Sequence, residues 1–86
     1  MKTIVAINIE APRRFDSLGC LSDDRDGMFW CSIRMEKLTA DGEHVQWLRV
    51  GNHTEVAHSG LHRLQHDAYE KAVELARVMR SAVQAM

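Results

Sequence analysis

Residues 28–51 read MFWCSIRMEKLTADGEHVQWLRVG, and the way this stretch pairs with itself decides the fold. Asp41-Gly42 predicts a two-residue β-hairpin turn, because aspartate and glycine tolerate the backbone that such a turn needs. Pairing then runs Ala40 with Glu43, Leu38 with Val45, Glu36 with Trp47, Met35 with Leu48, Arg34 with Arg49 and Ile33 with Val50. Opposed residues share a face and neighbours alternate. One face collects Phe29, Cys31, Ile33, Met35, Leu48 and Val50, a core face. The other collects Trp30, Ser32, Arg34, Glu36, Leu38, Val45, Trp47 and Arg49. Both tryptophans of the chain lie on that second face, where water would ordinarily meet plain polar residues. Tryptophan and arginine are the residues most enriched at binding hot spots. Trp30, Arg34, Glu36, Trp47 and Arg49 are therefore the candidate partner-binding residues.

Working outward, Thr3 to Glu10 alternates loosely and carries apolar residues on both sides, which predicts a strand with at least one buried face. Pro12 ends it, since proline lacks the ladder donor. Residues 11–27 hold the only proline and the acidic run Asp23-Asp24-Arg25-Asp26, and read as a long loop. Gly51-Asn52 closes the last strand. Farther on, Leu61, Leu64, Ala68, Ala72, Leu75, Met79, Ala82 and Met86 recur at steps of three and four. That spacing predicts an amphipathic helix, with Asp67, Glu70, Lys71, Glu74, Arg77 and Gln84 on its wet side. Ser59 is the expected N-cap and Thr54 an earlier alternative.

The order strand, long loop, hairpin, helix predicts an α+β fold: a three-stranded antiparallel sheet with one long C-terminal helix packed on one face. Eighty-six residues suit one domain, 1–86. Such packing leaves the Trp30/Trp47 face uncovered. The competing expectation is that one tryptophan folds under the 11–27 loop into a second small core. A one-residue slip of the turn would also invert one strand's faces.

Charge narrows the partners. Eleven basic residues against twelve acidic ones give a net charge of −1, so nucleic-acid binding requires the basic residues to gather on one side. Cys20 and Cys31 are too few for a disulfide scaffold and read as reduced thiols in a cytoplasmic protein. The apolar run after Met1 is short, contains Asn8 and lacks a cleavage site, and no stretch reaches the roughly 20 apolar residues of a membrane span.

Chemistry-bearing motifs are sparse. His58, His62 and His66 follow at i, i+4 and i+8, and on a helix His62 and His66 would share a metal, with His53 and Asp67 as further ligands. The acidic run resembles the start of an EF-hand loop, but Ile33 stands where calcium demands a glutamate. No glycine-rich phosphate cradle, nucleophile elbow or oriented triad is present, so neither a cofactor nor catalysis is expected.

Three functions fit these residues. A protein-binding module would act through the Trp30/Trp47 face, on another protein or on a second copy. In size and style the chain is similar to phage or mobile-element accessory proteins, including anti-CRISPR inhibitors of bacterial defence complexes. That likeness implies inhibition of a host complex. The expected architecture also resembles integrase arm-binding and plant AP2-type domains over residues 28–83. This second resemblance implies a sheet laid into the major groove, with Arg13, Arg14, Arg34 and Arg49 as contacts. A metal-linked regulator would use His58, His62 and His66.

Overall fold

The computed structural model describes residues 3–16, 18–21 and 27–84. It is an α+β fold of five antiparallel strands and one C-terminal helix. The strands are β1 (Thr3–Ile9), β2 (Arg13–Phe15), β3 (Met28–Thr39), β4 (His44–Trp47) and β5 (Glu55–His62), followed by α1 (Gln65–Gln84).

β3 is the spine. Its twelve residues pair with all four other strands, two in tandem along each edge. On one edge, β1 pairs from Thr3↔Thr39 to Ile9↔Ile33 without a break, and β2 continues with Arg13↔Trp30 to Phe15↔Met28. On the other, β4 covers Glu36–Leu38 and β5 covers Phe29–Arg34.

The expected three strands thus become five. The supposed loop 11–27 contains β2, which pairs with β3 because Arg13–Phe15 re-enter the edge that β1 leaves at Pro12. Beyond β2, the Asp16 carboxylate accepts the backbone N–H groups of Leu18 (2.8 Å) and Cys20 (2.9 Å) in a tight turn. This turn bridges Phe15 to Leu21. The acidic run 23–26 lies outside the described residues.

The hairpin turn differs from expectation by one residue. Gly42 N–H donates to Thr39 O and Thr39 N–H to Glu43 O, both at 2.9 Å, so the loop is Ala40-Asp41-Gly42. Gly42, at φ 89°, takes the left-handed position that closes a three-residue turn. Leu38 consequently faces His44 rather than Val45. A bulge between Lys37 and Leu38 then absorbs the extra residue, restoring Lys37↔Gln46 and Glu36↔Trp47. The expected Glu36–Trp47 pairing holds through two offsetting shifts.

The second arm ends at Trp47, with one further bond from Leu48 N–H to Met35 O (2.9 Å). Arg49 and Val50 do not pair with β3; the chain turns out through a Val50↔His53 bridge and returns as β5. Ile33 and Arg34 therefore face Ala57 and Glu55, and Val50 is 59% exposed rather than core.

Ser59 is no helix cap. It lies in β5 opposite Cys31, where Ser59 and Gly60 together oppose a single β3 residue. Gly60 takes φ 78° to make that bulge. Irregular pairing would strand the Cys31 N–H, and the buried Ser59 hydroxyl oxygen accepts it at 2.9 Å. Thr54, the alternative cap, precedes β5 and also falls outside the helix.

α1 starts at Gln65, so Leu61 belongs to β5 and Leu64 to the connection; both are exposed. Ala82 is exposed as well, and Met86 lies outside the described residues. The buried stripe is Ala68, Ala72 and Ala76, each fully inaccessible, flanked by Leu75, Met79 and Val83. Methyl side chains at i, i+4 and i+8 let the helix backbone lie close over Ile7, Cys31 and Ile33, the sheet's share of the core. Phe29 and Met35 flank that core, as their alternation along β3 requires. No helix among the described residues is long and apolar enough to cross a membrane.

Candidate functional site

The face of the sheet turned away from α1 follows from the pairing register. Five rows of three run across β3: Ile4–Leu38–His44, Ala6–Glu36–Trp47, Asn8–Arg34–Glu55, Glu10–Ser32–His58 and Arg13–Trp30–Leu61. Trp30, Arg34, Glu36 and Trp47 share this face, as the sequence pattern requires. Arg49 stands beyond the end of β4, outside these rows, and lines a shallow hollow with His44 and Trp47.

The middle rows form a web of side-chain bonds. Asn8 Nδ2 donates to Glu36 Oε1 (3.0 Å), and His44 Nδ1 lies 2.7 Å from Glu36 Oε2. Those two contacts, the Asn8 bond first, hold the Glu36 carboxyl below its ordinary value. Glu10 Oε1 sits 2.9 Å from Arg34 Nε, a half-buried ion pair. The Trp30 indole N–H donates to Glu55 Oε2 at 2.8 Å, and the Ser32 hydroxyl donates to the same oxygen.

The two tryptophans have different surroundings. Trp30 is half-buried: His58 stacks on it with centroids 3.8 Å apart, and Phe15 meets it edge-on at 6.1 Å. The expectation that a segment of 11–27 covers a tryptophan therefore holds in part, through one ring from β2. Trp47 stays open. It is 38% exposed, with the His44 ring at 5.2 Å. On the same face, Ile4 is 50% exposed and Leu38 half-buried, so the hairpin end is apolar while the centre is polar.

The arginines of the nucleic-acid reading are dispersed. Arg34 is paired with Glu10, Arg49 is off the ladder, and Arg13 lies at the far end of the open face. Arg14 points to the opposite face, its guanidinium 4.7 Å from the centroid of the Phe29 ring.

The three histidines are likewise separated from the helix that would have aligned them. His58 and His62 lie on β5 and only His66 on α1. His58 Nδ1 accepts from Gly60 N–H (2.9 Å), His62 Nε2 donates to Ser59 O (2.9 Å), and His66 pairs with Glu70 at 2.9 Å. Among the described residues, no group of three or more His, Cys, Asp or Glu is placed to hold a metal ion. Cys20 is exposed, whereas Cys31 is buried, with its thiol donating to Glu10 O at 3.1 Å. Burial, then the nearby Glu10 charge, raises the Cys31 pKa.

Sequence reasoning missed Asn8, Glu10, Glu55 and His58 as members of this face. Asn8 carried a local signal, a polar side chain inside an apolar strand. The other three join only because β1 and β5 flank β3, a relation between distant segments. Comparison with known protein families, curated proteins and solved structures finds no match to this chain.

Proposed function

We propose that the chain is a non-enzymatic protein-binding module that uses the open sheet face, centred on Trp47. The observation that carries this reading is the apolar corner Ile4, Leu38 and Trp47, uncovered by any described element and bordered by the web around Glu36. An apolar patch beside a bonded polar web supplies the two parts of a protein interface, an apolar core and a polar rim. The border also needs little reordering on association, because Glu36, Arg34 and Trp30 already have partners within the chain.

Nucleic acid suits the face less well. Glu10, Glu36 and Glu55 stand across its middle three rows, where phosphates would meet carboxylates. An accessory protein of a phage or mobile element that blocks a host complex is one setting in which so small a chain works through such a face.

The test is retention of a protein on the immobilised chain from nuclease-treated bacterial lysate, followed by titration of the purified partner. Trp47→Ala should weaken binding by more than about 2 kcal/mol with the fold intact. Val78→Ala, on the exposed outer side of α1, should leave it unchanged. Equal binding by Trp47→Ala, or retention of nucleic acid released steeply by salt, would overturn the reading.

A further inference from the structure

The two outer edges of the sheet differ. β4 is four residues long and bulged, and β5 carries Gly60, Glu55 and two register breaks. β2 is three residues long, with two arginines. Short length, charge and bulges are devices that blunt an edge against further pairing. β1 has none of them. Thr3-Ile-Val-Ala-Ile-Asn-Ile9 is uncharged, free of proline and glycine, and pairs with β3 in unbroken register.

Glu10 N–H donates to Ser32 O, so residues 4, 6 and 8 direct their backbone groups at β3. Thr3, Val5, Ile7 and Ile9 direct theirs outward. One of these is occupied: Arg80 Nη2 donates to Ile7 O at 3.1 Å from the end of α1. Val5, Ala6, Ile7, Arg80 and Val83 line an open groove along this edge.

We infer that β1 is a homodimer edge, pairing antiparallel with β1 of a second copy around a two-fold axis at Val5. This register sets Val5 against Val5 of the partner and Thr3 against Ile7, so the outward backbone groups of Thr3, Val5 and Ile7 each meet their complement. No charge opposes a like charge, because the strand has none. Ile4 and Val5, 50% and 37% exposed in the single chain, fall at the axis. Arg80 leaves Ile7 O as the partner's backbone arrives. The assembly stops at two, since the opposite edge is blunted and cannot propagate the sheet. An edge of seven residues buries less than the roughly 800 Å² per partner of a standard interface, so the dimer is weak.

Sedimentation equilibrium across a dilution series tests this, with circular dichroism to confirm that each variant folds. The wild type should dimerise reversibly, and Val5→Lys and Val5→Glu should each raise Kd about tenfold or more. An equimolar mixture of the two variants should recover the dimer by setting lysine against glutamate. In the wild type, the Val5 and Ile7 amides should exchange more slowly as concentration rises, while Ala6 and Asn8 stay protected throughout. A chain that remains monomeric at about 0.5 mM overturns the inference. So does a dimer that survives Val5→Lys but is lost in Trp47→Ala, which would move the seam to the open face.

Discussion

The two faces of the sheet are held by different physics. Under α1, Ile7, Cys31 and Ile33 meet Ala68, Ala72 and Ala76, and the contact is apolar and close. On the open side, order comes from directed bonds among Asn8, Glu10, Ser32, Arg34, Glu36 and Glu55. The covered face should respond to changes of volume. The open face should respond to changes of charge and to loss of single partners.

The sharpest way to break this contrast is on the covered side. Ile33→Ala, at a fully buried centre, should cost about 2–5 kcal/mol in urea unfolding through the cavity it leaves. Overfilling should also be felt: Ala72→Leu has no room against the sheet and should cost about 1–3 kcal/mol or more by the same assay. Ser59→Ala removes no packing of consequence but strands the Cys31 N–H, and should likewise cost about 1–3 kcal/mol.

Effects on the open side should be smaller. Trp47→Ala should shift unfolding by less than about 1 kcal/mol, because the residue is exposed and lies outside the core cluster under α1. Glu36 has a folded-state pKa below its ordinary 4.5. Its contribution is therefore complete above the unfolded value and is lost as pH falls through the lower folded one. Acid titration of stability should flatten below about pH 4.5 in Glu36→Gln relative to wild type. The mildest probe is chemical. A thiol reagent should modify Cys20 in the native chain and reach Cys31 only on unfolding, since Cys31 is buried with a raised pKa.

Which parts were legible in the sequence follows the same division. Alternation along residues 28–38 places Trp30, Arg34 and Glu36 against Cys31, Ile33 and Met35, and repeat spacing finds Ala68, Ala72, Leu75 and Met79. Both signals are local, carried by one element at a time. Leu61 and Leu64 continue the helical spacing by coincidence, because nothing in a step of three or four records that β5 has already claimed Leu61. Ser59 has the chemistry of an N-cap, yet its hydroxyl is occupied by a backbone donor 28 residues away. The web on the open face depends on β1 and β5 lying on opposite edges of β3, and on a turn and a bulge whose shifts cancel. Those are relations between segments, which no window along the chain contains.

The placement of β3 has a consequence for the growing polypeptide. β1, β2 and β3 leave the ribosome first and can pair at once, but the apolar side of that unit waits for Ala68, Ala72 and Ala76 on α1. One edge of β3 also waits for β4 and β5. A chain truncated before Gln65 therefore displays an unroofed sheet, a target for chaperones and proteases with no helix to close over it.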